Sequence, residues 1–264
     1  MASAKRRPVA MTIAGSDNSA GAGVQADLKA FSHFGCYGLT TITCVVAEIP
    51  GRVTSIQPIK PQVVAEQIDL SLEAFPVRAV KTGMLFSTAI VEVVAEMLSR
   101  ARDIHLVIDP VMVASSGDRL LKKSAISAYE ELLLPRATLV TPNLDELKIL
   151  AGREVSNLAE MKEAGLALVD RYGTAFLLKG GHLRGKTAVD FLATTEGFEE
   201  FSAPFVKGVE THGTGCTYSS AIAANLAHGR TLSASVGTAK EYITAAIKQH
   251  LNWGPVAALE HFPD

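Results

Sequence analysis

Short runs of consecutive apolar residues alternate along this chain with longer stretches in which apolar positions recur at helical spacing. The runs fall at residues 9–14, 40–47, 53–59, 79–84, 105–109, 138–142 and 175–179. The helical stretches fall at 24–34, 62–75, 89–98, 121–134, 144–150 and 158–172. Residues 188–194 and 198–205 read as a hairpin, and helices starting near Cys216 and Leu232 close the pattern. Unbroken apolar strands are buried on both faces, and strands separated by helices pair in parallel. The pattern predicts an α/β fold in three layers: a mostly parallel central sheet, helices on both faces, and a small β-hairpin near the C-terminal third. In the first closing helix Tyr218, Ile222 and Leu226 repeat every four residues beside Ala221 and Ala224, and Gly229 stands where a C-cap belongs.

Composition bounds this picture. Of 264 residues 48% are hydrophobic and 20% charged, enough to bury one large core. No repeat, low-complexity tract or linker divides the chain, so residues 1–264 are expected to form a single domain. A formal net charge of -2 supplies no basic field, which argues against nucleic acid or an anionic membrane as the main partner and for a small molecule. Cys36, Cys44 and Cys216 are odd in number and lack a metal-ligand spacing, as free thiols in a reducing compartment would be. Lys5, Arg6 and Arg7 precede a short apolar run that Gly15-Ser16-Asp17 ends too early for a signal peptide, so the expected location is the cytoplasm.

In a sheet of this kind ligands bind beyond the carboxyl ends of the strands. The polar motifs collect there: Asp17, Glu48, Lys81-Thr82-Gly83-Met84, Asp109-Pro110-Val111-Met112, Thr141-Pro142-Asn143 and Lys179-Gly180-Gly181-His182. The richest is Thr211-His212-Gly213-Thr214-Gly215-Cys216, directly before the closing helix. Its amides have no intrahelical partner, its glycines admit an oxyanion closely, and the helix dipole favours phosphate there. The same field predicts a Cys216 more acidic than an ordinary thiol. The bland reading is a glycine loop before a core helix with an inert cysteine.

Other motifs carry two readings each. Asn143 with Glu146 could hold magnesium, directly or through water, or could be a capping box. Lys179 could sit on a phosphate or face water. Asp109 could lie beside the reacting phosphate or merely precede a proline turn. Gly21-Ala22-Gly23-Val24-Gln25-Ala26 fits the dinucleotide pattern G-x-G-x-x-A, with Glu48 placed for a ribose, which keeps a nicotinamide oxidoreductase as a rival. Gly21 lies well past the expected strand end, against that pattern's geometry.

Taken together, the segments resemble the hydroxymethylpyrimidine and phosphomethylpyrimidine kinases of thiamine biosynthesis, a branch of the ribokinase-like superfamily. The resemblance rests on residues 14–17 and 21–29, Lys81-Thr82-Gly83-Met84-Leu85, Asp109-Pro110-Val111-Met112, Ser116-Gly117-Asp118, Thr141-Pro142-Asn143 to Glu146, Lys179-Gly180-Gly181-His182-Leu183 and His212-Gly213-Thr214-Gly215-Cys216-Thr217. It implies a ribokinase-like three-layer sandwich that phosphorylates the hydroxyl of 4-amino-5-hydroxymethyl-2-methylpyrimidine, and then the monophosphate, with ATP and magnesium. It implies a substrate pocket of Gly15, Asp27, Val46, Glu48, Met84 and Val111, with Cys216 as the base. Gly213, Thr214, Gly215 and Lys179 would hold the moving phosphoryl group. Asp109, Asn143 and Glu146 would serve the nucleotide and its magnesium, and a homodimer is implied. The family usually reads Ala-Gln-Asn where this chain has Ala47-Glu48-Ile49. An amide both donates and accepts, whereas a carboxylate only accepts, so the related vitamin B6 kinases stay open as an alternative. Ala20 and Ser115 stand where a glycine and a lysine are often found. A pyrimidine-binding protein without turnover is a further alternative.

Overall fold

The central apolar runs become strands because their side chains alternate between two helix layers, so neither face is left for water. The run at 53–59 instead forms a largely exposed edge strand. The computed structural model describes residues 6–101, 103–112, 123–181, 187–206, 212–254 and 256–264. In chain order these form β1 (Val9–Asp17), α1 (Gly23–His33), β2 (Tyr37–Ile49), β3 (Arg52–Pro58), α2 (Pro61–Ala74), β4 (Val77–Thr82), α3 (Thr88–Ser99), β5 (His105–Ile108) and α4 (Lys123–Ala128). There follow β6 (Leu139–Val140), α5 (Leu144–Ala151), α6 (Leu158–Tyr172), β7 (Ala175–Lys179), β8 (Thr187–Thr194), β9 (Gly197–Pro204), α7 (Thr214–Ala227), α8 (Leu232–Lys248), β10 (Leu251–Asn252) and β11 (Ala257–Ala258).

Among the described residues one nine-stranded sheet runs in the order β3-β2-β1-β4-β5-β6-β7-β8-β9. From β2 to β7 all neighbours are parallel, while β3 pairs antiparallel with β2 and the expected hairpin β8–β9 extends the other edge antiparallel to β7. On one face Met11, Ile13, Val80, Ile108 and Val140 pack under α2, α3, α5 and α6. On the other, Ala10, Ala79, Val107, Leu139 and Leu177 meet α1, α7 and α8. The alanines on both sides let α7 settle close to the strands, and nearly all of its residues are buried. Among the described residues no helix is long and apolar enough to cross a membrane.

Helix ends follow local chemistry. α5 and α6 each start at an asparagine cap, Asn143 and Asn157, and stop at a left-handed glycine, Gly152 at φ 66° and Gly173 at φ 65°. Two boundaries differ from the hydrophobic pattern. β1 runs past Ala14 to Asp17, because its pairing with β2 continues through a bulge that apolar periodicity does not register. The helix expected over 121–134 gives way after Ala128 to a wide turn, Tyr129–Leu133, and a tight one, Leu134–Arg136, where Pro135 supplies no amide proton.

Candidate active site

The parallel strands end on one side of the sheet, and Asp17, Glu48, Thr82, Asp109, Thr141 and Lys179 all stand at or just past those ends. The amino end of α7 faces the same edge. The helix begins at Thr214, ahead of the expected Cys216, so Thr214, Gly215 and Cys216 form its first turn. Their amides point out of the helix start, and the N-cap, Gly213, brings no side chain to occupy them. Gly213 has φ 82°, and a Cβ there would collide with the Gly21 carbonyl, so both backbone and space demand glycine. At Gly215 a Cβ would lie 3.2 Å from Lys179 Nζ and 3.6 Å from Asp109 Oδ2. Because Gly215 carries no side chain, an ammonium and a carboxylate come directly against the helix start.

Lys179 Nζ donates to Asp109 Oδ1 at 3.1 Å, and Thr141 Oγ1 donates to the same oxygen at 3.3 Å. Burial opposes the Lys179 charge, but Asp109 and Glu146 outweigh it and hold its pKa above the ordinary lysine range. Glu146 lies behind them, 2% exposed, with its pKa pushed up to about 7 by burial, against the pull of Lys179 and with the push of Asp109. Its oxygens accept from Asn143 N at 2.9 Å and Met112 N at 3.2 Å, while Asn143 Oδ1 accepts from Glu146 N at 2.9 Å. The capping box is therefore formed. Asn143 thus serves the helix start, as the capping reading of the sequence has it. Asp109 and Glu146 are enclosed carboxylates beside the Lys179 ammonium, oxygen donors of the kind a divalent cation takes.

At the β1 and β2 ends Asp17 accepts from Ser19 N at 2.7 Å and Ala22 N at 2.8 Å, and pairs with His212 Nε2 at 3.2 Å. Burial opposes its charge, but these bonds hold its pKa well below the usual carboxylate range. The bond to Asp17 raises the pKa of His212 against burial. Glu48 Oε2 lies 3.9 Å from the same imidazole nitrogen, and burial, with Asp17 nearby, raises the Glu48 pKa. Asp17, Glu48 and His212 form a trio whose ligand atoms lie within 4.8 Å of one another, but amides and imidazole already satisfy Asp17 without an ion. The loop between β1 and α1 is closed by His212 and Gly213, which leaves it no open dinucleotide turn. Gly15 and Val46 line adjoining strands here, Met84 follows β4, and Val111 follows β5. Val111 has φ 44°, a strained value for a β-branched residue. A cleft of about 350 Å³ opens beside Glu48 between Asn18, Val46, Ile49 and Arg52. Another, of about 410 Å³, lies among Leu72, Phe75, Met97 and Ile104 at the amino ends of the strands, away from every one of these groups.

Asp27 is fully buried, with its carboxylate held by Lys81 Nζ at 3.0 Å, Ser220 Oγ at 2.6 Å and Thr12 Oγ1 at 2.5 Å, so it braces α1, α7 and β4. One expectation is corrected. Cys216 is less acidic than an ordinary thiol, because burial pushes its pKa up to about 11; Lys81 pulls it back, Asp109 and Asp27 push it further, and the Gly23 amide offsets a little. The helix start alone does not set the thiol; its enclosure does. Lys81 and His212 stood in sequence motifs with no role of their own and Ser219 was not singled out, although a lysine inside the buried run Ala79-Val80-Lys81-Thr82 signals a buried partner. Thr211, Ser115, Ser116-Gly117-Asp118 and His182-Leu183 lie outside the described residues.

A family model described as phosphomethylpyrimidine kinase matches residues 17–259. The chain is 45% identical over 241 residues to the hydroxymethylpyrimidine/phosphomethylpyrimidine kinase of Salmonella typhimurium, with 91% of each chain covered. It is similar to the solved ADP complex of Bacillus subtilis pyridoxal kinase, with a TM-score of 0.89 and 35% identity over 97% of this chain and 98% of that one. The phosphomethylpyrimidine kinase of Clostridium difficile 630 superposes with a TM-score of 0.81 at 38% identity, over 91% of this chain and 100% of that one.

Proposed function

The chain belongs to the phosphomethylpyrimidine kinase family, and from that premise we propose that it transfers the γ-phosphoryl group of ATP to the hydroxymethyl oxygen of 4-amino-5-hydroxymethyl-2-methylpyrimidine, then to the monophosphate so formed. The observation that carries this reading is the convergence at Gly215 of the first turn of α7, Lys179 and Asp109. Phosphoryl transfer asks chiefly for positioning and for charge stabilisation on the equatorial oxygens, which such a cradle supplies. Asp109 and Glu146, with Asn143 through water, would hold magnesium, which would supply positive charge to offset that of the phosphates.

Cys216 ends the first turn of α7 beside this cradle and takes the proton of the substrate hydroxyl as its thiolate. Gly15, Val46, Met84 and Val111 enclose the ring, while Glu48 meets its polar edge. Burial and Asp17 raise the Glu48 pKa, and a proton acquired there on ring binding would let the carboxyl donate and accept as an amide does. A homodimer is part of the proposal, checked by sedimentation velocity.

A second reading is favoured by the likeness to the Bacillus subtilis pyridoxal kinase together with Glu48: phosphorylation of a vitamin B6 hydroxymethyl group. Magnesium-dependent ADP release over the pyrimidine, its monophosphate, pyridoxal, pyridoxine and pyridoxamine decides between them. The pyrimidine and its monophosphate are expected to turn over fastest, with Glu48→Gln raising that preference. Turnover confined to the B6 vitamers would replace the first reading with the second.

A further inference from the structure

Lys179 is the last residue of β7, and what fixes its backbone lies on the far side of the sheet edge. Its amide donates to Pro142 O at 3.1 Å, and in the antiparallel register it stands opposite Asp190 of β8. Asp190 is 3% exposed and spends both oxygens: Oδ1 accepts from Gly180 N at 3.0 Å, and Oδ2 accepts from Lys240 Nζ of α8 at 2.6 Å. Lys240 is itself only 8% exposed. Gly180 lies so close to β8 that a Cβ would collide with the Val189 carbonyl, so its peptide has little room to rotate. The Tyr218 side chain of α7 lies beside the same carboxylate.

Burying two charges costs more than packing apolar residues of the same size, so folding stability alone gives weak reason for an ion pair here. The pair does what an apolar pair cannot: it accepts the first amide beyond β7 and fixes that acceptor's direction. We propose that Asp190 and Lys240 are positioning residues for phosphoryl transfer, acting through the Gly180 peptide to aim the Lys179 ammonium at the phosphate cradle. This rests on the kinase reading above, but not on which acceptor is phosphorylated.

The test is a coupling experiment. Asp190→Asn with Lys240→Met removes the pair with little change of volume and leaves an acceptor for Gly180. In the otherwise native chain the double substitution should lower kcat about tenfold, weaken magnesium-ATP binding by calorimetry about fivefold, and leave the acceptor KM unchanged, since the ring pocket lies at the β1 and β2 ends. In a Lys179→Ala background the same substitution should change kcat and ATP affinity by less than about twofold, because its target is gone. A purely structural pair would give equal losses in both backgrounds, and that result, or native ATP affinity in the double variant, overturns the proposal. Should the double variant not fold, Lys240→Gln, which keeps a neutral donor to Asp190, is measured in both backgrounds and judged by the same two outcomes. Calorimetry needs no acceptor, so the coupling is readable even if every vitamin precursor fails as substrate.

Discussion

Glu146 links pH to both stability and binding. Its folded pKa of about 7 stands above the ordinary 4.5, so the protonated form is favoured by folding. The stability it contributes is fully present below the ordinary value and is lost as pH rises through about 7. Glu146→Gln keeps the capping box, since glutamine also serves at that position. Thermal melts should show the native chain losing on the order of 2–3 kcal/mol relative to this variant between mildly acid and neutral pH. The metal-bound nucleotide needs the carboxylate, so its KM should rise as pH falls below about 7, a dependence the glutamine variant should lack. At Cys216 a pKa near 11 leaves only a small thiolate fraction at neutral pH. If the thiolate is the base, kcat should climb about tenfold per pH unit through the neutral to mildly alkaline range. Cys216→Ala should flatten that profile, bind nucleotide normally and lose about a hundredfold or more in rate; an unchanged rate excludes the thiol.

The start of α7 separates two kinds of glycine. Gly213 sits at positive φ against the Gly21 carbonyl, so Gly213→Ala must move either the helix start or the β1–α1 loop. A melting-point loss worth about 1–3 kcal/mol is expected, along with lost turnover. At Gly215 a side chain would instead meet the ammonium end of Lys179, a side-chain tip rather than backbone. Gly215→Val should therefore leave the melt and circular dichroism nearly native while kcat falls by a hundredfold or so. Normal turnover from a folded Gly215→Val chain would remove α7 from the phosphoryl site. The position of this helix was legible from Tyr218, Ile222 and Leu226, and α6 and β7 were legible to the residue, because their burial follows one clean period each. The polar end of β1 was not: Gly15, Ser16 and Asp17 pair by backbone alone, which hydropathy does not report.

Across the whole molecule the Lys81–Asp27 pair ties the sheet to the helix layer on one of its faces. It joins β4 to α1 and, through Ser220, to α7, with neither side chain exposed. Lys81→Met alone strands a buried carboxylate and should cost about 3–5 kcal/mol in urea unfolding, whereas adding Asp27→Leu should restore most of that loss. If the double substitution restores stability but not turnover, the pair serves the site it braces. Equal instability of single and double variants would mean that the Thr12 and Ser220 hydroxyls, not the charges, hold the layers.

The order of strands and helices, the doubly covered sheet and the edge at which polar residues gather are properties of periodicity, and the chain alone determines them. Motif spacing likewise placed Gly215, Lys179, Asp109 and Glu146 at one site. What each group does there was decided only in three dimensions. Asp27 became a brace, Asn143 a cap and Cys216 a poorly acidic thiol, because desolvation and charge pairing depend on which distant residues arrive alongside. Lys81 and Asp109 reach Asp27 and Cys216 through the packing of the layers, which no local pattern reports, whereas the Asn143–Glu146 cap is local and was one of its two readings in the sequence.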